Sequence, residues 1–129
     1  MSRPELPSDL RRFIVTNIPS VPYLEAILLL RAEPRKAWLV RDMAARLYIA
    51  EADAAQLLDS AASNGIAEVQ AGDSPAYSYR PQSEELATML DRLATHYAGD
   101  VVTVATLIHG RTDKRAQQFA DAFRWRKDS

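Results

Sequence analysis

The stretch from Leu47 to Ile66 reads LYIAEADAAQLLDSAASNGI, and its reading decides the fold. Ala54, Leu57, Leu58 and Ala61 return at steps of three and four, which places them on one face of a helix. The spacing predicts a helix over Glu51–Ser63. Asn64-Gly65 stops it, because a glycine there accepts the left-handed backbone of a helix cap. Just upstream, Val40, Met43, Ala44 and Leu47 repeat the pattern, so "VRDMAARLY" is a second helix. Tyr48 to Ala50 then leave room only for a tight turn. The exposed face of the later helix falls on Ala52, Asp53, Ala55, Gln56, Asp59 and Ser60. That helix carries Glu51, Asp53 and Asp59 and not one Lys or Arg. What a face so charged can touch is the functional question.

Outward from this pair the chain is punctuated clearly. "IAEVQAGDSPAYSYRP" (66–81) reads as two strands around the turn AGDSP, with Ile66, Val69, Tyr77 and Tyr79 as apolar contacts and Pro81 as the stop. "AWLV" (37–40) is a short extended stretch. Ser20 caps a helix that carries Pro22 in its first turn, runs to about Ala32 and is ended by Pro34. Residues 1–22 hold four of the seven prolines and form an arm with one short helix, Asp9–Thr16, capped by Ser8. After Ser83, Leu86, Leu90, Leu93, Tyr97, Val101, Val104 and Ile108 recur at steps of three or four. They predict one long helix from 84 to about 109, bent at Gly99, with a strand over the β-branched "VVTVAT" as the competing assignment. A last amphipathic helix places Ala116, Phe119, Ala120 and Phe123 on one face. The expected organisation is an arm (1–21), a central domain (22–82) and a C-terminal helical extension (83–129).

Helix, short strand, helix, tight turn, capped helix and two-stranded wing is an order that resembles the winged helix-turn-helix family over residues 23–81. Leu47, Ile49, Ala54, Leu58, Ala61, Gly65 and Ile66 occupy the family's buried and turn positions. The resemblance implies a mainly α fold with a small β-wing, a winged helix-turn-helix with a C-terminal helical extension. In that family the second helix normally lies in the major groove of DNA. The residue before that helix is usually Ser or Thr and is Ala50 here. Members with a C-terminal helix frequently dimerise through it, which would make Leu86, Leu90, Leu93, Tyr97 and Val101 a homodimer seam.

Charge argues for a different partner. The net charge is −1, without the basic excess that phosphate neutralisation demands of a dedicated nucleic-acid binder. Residues 47–79 hold five acids and no Lys or Arg, whereas residues 111–127 hold six bases against Asp113 and Asp121. The expected function is therefore a non-enzymatic regulator, of bacterial transcription control by its resemblance, acting through protein contacts. Asp53, Gln56, Asp59 and Ser60 are its interaction face. Phe119, Phe123 and Trp125 form a second anchor, since so much apolar surface is seldom left exposed. The alternative is a dimeric DNA-binding transcriptional regulator using Arg35, Lys36, Arg41, Arg46 and Arg80 as backbone contacts. DNA is disfavoured at this point because base contacts require phosphate contacts to offset repulsion, and the acidic helix supplies none.

No catalytic or cofactor chemistry emerges. There is no cysteine, which removes disulfides and thiolate ligands and suits a reducing cytoplasm. His96 and His109 lie thirteen residues apart, whereas a two-histidine helical metal site wants a spacing of about four. The four glycines are isolated and build no phosphate loop. No apolar run approaches the roughly 18 residues of a membrane span. No enzyme, cofactor, metal or membrane partner is expected.

Overall fold

The computed structural model describes residues 6–110. Its elements are α1 (Ser8–Asn17), α2 (Val21–Ala32), β1 (Trp38–Leu39), α3 (Val40–Leu47), α4 (Glu51–Ser63), β2 (Ala67–Gln70), β3 (Ala76–Tyr79), α5 (Glu84–Gly99) and α6 (Val101–Gly110). The strands form one antiparallel sheet in the order β1-β3-β2. Tyr77 is its centre, opposite Trp38 on one side and Val69 on the other. The described residues fall into two compact units, one of residues 22–94 and one of residues 6–21 with 95–110.

In the unit 22–94, α2 is apolar on most of its surface and buries Tyr23, Leu24, Ala26, Ile27 and Leu30. Met43 and Ala44 from α3, Ala54, Leu58 and Ala61 from α4, Ile66 just ahead of β2, and Trp38, Ala67 and Tyr77 from the sheet complete its core with Leu90 and Leu93. Leu10, Ile14, Ile18, Val104 and Ile108 are the buried apolar residues among the described parts of the other unit.

The turn between α3 and α4 is built by backbone alone. Tyr48 takes a left-handed conformation (φ 57°), and the amides of Tyr48 and Ile49 both donate to the Ala44 carbonyl. For an L-residue that conformation costs roughly 1–2 kcal/mol, and the Tyr48 side chain recovers none of it by packing, being 93 % exposed. Ala50 then begins α4 without a side-chain cap, and Glu51 and Asp53 occupy the first turn. Their charge stabilises the positive helix end in place of the missing cap.

The other end of α4 stops at Gly65 (φ +76°), as Asn64-Gly65 predicts. The Ile66 amide donates back to the Ala61 carbonyl at 2.9 Å, and the Asn64 side chain donates to the Tyr23 hydroxyl at 2.8 Å. The wing closes on the same point, with the Arg80 amide on the Ile66 carbonyl and the Gln82 amide on the Gly65 carbonyl, both at 2.8 Å. A Cβ on Gly65 would run into the Gln82 side chain. Gly65→Ala is accordingly expected to cost about 1–2 kcal/mol from the left-handed backbone and the displaced Gln82. A urea midpoint indistinguishable from the parent would contradict this.

Three details differ from the sequence expectations. The N-cap of α1 is Pro7, and Ser8 lies inside the helix with no side-chain cap bond at this end. The Leu10 amide bonds instead to the Asp9 carboxylate. The long helix over 84–109 is two helices. Asp100 interrupts it after Gly99, accepting from the Thr103 amide (3.2 Å) and the Thr103 hydroxyl (2.6 Å). A glycine that weakens the helix, followed by an Asp that caps a new one, outweighs the continuing apolar stripe. "VVTVAT" itself is helical, as expected ahead of the competing strand, since Val104 and Ile108 bury at a four-residue spacing. Val69 is 44 % exposed and joins no core. The start of α5 follows expectation, with the Ser83 hydroxyl accepting from the Leu86 amide. The helix expected over Ala116–Phe123 and the anchor residues Phe119, Phe123 and Trp125 lie outside the described residues.

Candidate functional site

The surface formed by α3, the turn, α4 and the β2–β3 wing holds most of the residues singled out above. Each of the three acids of α4 has a place in the fold. Glu51 and Asp53 stand in the first turn. Asp59 accepts a hydrogen bond from the Tyr77 hydroxyl, a short contact between helix and sheet. Asp59 is exposed on the same helix as Asp53, Gln56 and Ser60, and its carboxylate is also tied to β3. Gln56, Asp59 and Ser60 are exposed and Ala55 is half-buried, which leaves Ala52, Asp53, Gln56, Asp59 and Ser60 on the open face.

Tyr77 is buried, and burial pushes its phenol up to about 12, with the hydrogen bond to Asp59 and the negative charge of that carboxylate acting in the same direction. A phenol pKa raised on folding means that the stabilisation is complete below the ordinary value near 10 and is lost as pH climbs from 10 towards 12. Tyr77→Phe is expected to cost about 1 kcal/mol at neutral pH and to flatten the alkaline fall in stability. Denaturation curves at neutral pH and at pH near 11 check both, and an alkaline fall as steep in the Phe variant would contradict the assignment.

The cations sort differently. Arg41 and Arg46 are exposed on α3, and Arg35 and Lys36 are exposed ahead of β1. Among the described residues no ion pair engages Arg35, Arg41 or Arg46, and Lys36 Nζ sits 3.9 Å from the centre of the Trp38 ring. Arg80 is paired with Glu68 across the wing at 3.2 Å. Such an exposed pair contributes between 0 and about 1 kcal/mol, so Arg80 is held more by competition than by energy. Two concavities flank α3. The smaller, about 230 Å³, brings Arg41 to Glu51 of α4 and to Asp73 and Ser74 of the wing turn. The larger, about 410 Å³, brings Lys36, Trp38, Asp42, Arg46 and Tyr48 together. Neither Tyr48 nor this concavity follows from the hydrophobic pattern, since Tyr48 lies in a turn between two periodic segments.

The expected homodimer seam is partly used up within the chain. Leu90 and Leu93 are buried, at 1 % and 0 % exposure, and Leu86 and Tyr97 are half-buried. Val101 (48 %) and its neighbour Val102 (70 %) are the exposed apolar residues of this region. Among the described residues no cluster of His, Asp and Glu is placed to hold a metal ion, and no single helix is long and apolar enough to cross a membrane.

This geometry matches solved structures closely enough to decide the architecture. The heme sensor protein PefR from Streptococcus agalactiae superposes with a TM-score of 0.53 at 14 % identity, over 88 % of this chain and 81 % of that one. The homodimeric winged helix-turn-helix DNA-binding domain Mb0332 from Mycobacterium bovis gives 0.51 at 17 % identity, over 79 % and 94 %. A point mutant of MepR from S. aureus, bound to an oligodeoxyribonucleotide, gives 0.52 at 8 % identity, over 93 % and 89 %. The fold is a winged helix-turn-helix. No protein-family model matches the sequence, and no curated protein matches it significantly. At these identities the likeness is one of fold. Within the winged helix, α3 and α4 are the helix-turn-helix pair, β2 and β3 are the wing, and β1 is the short strand that pairs with β3 ahead of α3.

Proposed function

We propose that this chain is a homodimeric, DNA-binding transcriptional regulator without enzymatic activity, with α4 entering the major groove and α3 crossing the phosphate backbone. The observation that supports this is the set of exposed cations on and just before α3, Arg35, Lys36, Arg41 and Arg46, none of them in an ion pair among the described residues. Glu51, Asp53 and Asp59 are all exposed and keep α4 acidic, the bond from Tyr77 leaving the Asp59 charge in place, so the cations that offset repulsion must stand beside that helix. Phosphate neutralisation falls to Arg35, Lys36, Arg41 and Arg46, and the first helix of a helix-turn-helix is the one that crosses the backbone. On the open face Gln56 can pair with adenine, and Asp53 can accept from cytosine N4. Two of the fold's neighbours lend support, one bound to an oligodeoxyribonucleotide and one a homodimeric DNA-binding domain. A regulator working through protein contacts alone ranks second, because it leaves the exposed cations of α3 without a partner.

Selection of duplexes from a randomised library by the full chain tests the proposal, together with light scattering. The expected result is an inverted repeat whose half-sites lie one helical turn, about 10 base pairs, or a multiple of it apart. The expected mass is twice 14.4 kDa. A monomer, or a library that shows no enrichment, would overturn it.

A further inference from the structure

Tyr48 is the feature of this surface that the fold leaves unexplained. Its φ of 57° is the only positive value at a non-glycine residue among the described residues. A glycine fits that conformation freely, and a bulky aromatic residue there is an outlier. Its side chain is 93 % exposed, so packing does not account for the choice. Strained positions of this kind cluster where a ligand is met. Tyr48 lines the concavity of about 410 Å³ with Lys36, Trp38, Asp42 and Arg46. Lys36 is fixed there over the Trp38 ring at 3.9 Å, which turns a mobile ammonium into a positioned one. Tyr48 also ends the helix proposed to cross the backbone and lies three residues before Glu51, where α4 begins.

We propose that Tyr48 is a DNA-contacting residue whose phenol donates to a backbone phosphate at the rim of the groove that α4 enters, flanked by Arg46 and Lys36. The inference rests on the DNA-binding function proposed above. A phenol suits this position because it donates a hydrogen bond without adding charge, and tyrosine is among the side chains that make phosphate contacts. The acids beside it, Glu33 and Asp42, offset part of the cationic charge, so a neutral donor adds affinity that the ion pairs alone do not.

The test uses duplexes enriched by the full chain, titrated with the parent, Tyr48→Phe and Tyr48→Gly. Tyr48→Gly is expected to lose about tenfold in affinity, on the order of one good hydrogen-bonded contact, with a melting temperature equal to or above the parent's because glycine suits the left-handed backbone. Tyr48→Phe is expected to lose about threefold, the share of the hydroxyl. The dependence of affinity on salt should be unchanged in both, since a neutral contact releases no counterion. Binding by both variants as tight as the parent's would overturn the inference while leaving the DNA-binding function standing. Should Tyr48→Gly change the oligomeric mass and not the affinity, the concavity is a protein contact and the inference is equally overturned. A parent chain that enriches no duplex would remove the function itself.

Discussion

Replacing Arg41 and Arg46 together by alanine is expected to weaken DNA binding by roughly a thousandfold or more at about 0.1 M salt, since a dimer loses four phosphate contacts, while the fold stays intact. Each phosphate contact contributes close to 0.9 to the slope of log K against log salt, and so about eightfold in affinity at that concentration. Both arginines are exposed on α3, with no ion pair among the described residues. Their removal costs the fold little, because alanine is the strongest helix former. The salt slope should become shallower by about 3.6, two contacts being lost from each subunit of the dimer. Arg80→Ala should do much less, since that side chain is already paired with Glu68. A double variant that binds within a factor of about two of the parent, with the same slope, would mean that α3 does not cross the backbone.

The second large effect is on stability. Leu58→Ala should cost about 3 kcal/mol, within the 2–5 kcal/mol range of such truncations. Leu58 is fully buried, and the residues beside it on the inner face of α4, Ala54 and Ala61, are too small to fill the space. For a chain of this size the loss corresponds to a melting temperature lower by roughly 10 °C. Calorimetry measures it directly. A loss under about 1 kcal/mol would mean that the site collapses around the truncation or that α4 is not packed as described.

How far the sequence reached depends on whether the deciding signal was local. Both ends of α4 were legible, because Asn64-Gly65 and the step-of-three-and-four apolar residues act within a turn of the helix. The wing was legible from AGDSP between two short aromatic-bearing runs. The partner of Asp59 was not. Tyr77 is eighteen residues away and meets Asp59 only once the antiparallel register sets it opposite Val69 and Trp38. Charge counting along the chain also weighed α4 by itself, whereas the fold sets the cations of α3 and of the residues before β1 beside it. The stripe after Ser83 misled in a second way. An apolar face reads the same whether it is covered by its own core or by another copy, and Leu90 and Leu93 turn out buried within the chain. The break at Asp100 needed the balance of one glycine and one capping side chain against a stripe that runs on across both. Tyr48 carried no periodic signal at all, and its importance lies in a backbone angle.

The central claim is that an acidic recognition helix is carried onto DNA by cations on its neighbour, and titration of an enriched duplex across a range of salt tests it most directly. If Arg35, Lys36, Arg41 and Arg46 each meet a phosphate in both subunits of a dimer, log K should fall against log salt with a slope near −7, and binding at about 0.1 M salt should be far tighter than the non-specific range of roughly 10⁻⁴–10⁻⁶ M. Binding no tighter than that range, or a slope shallower than about −2, would contradict the account.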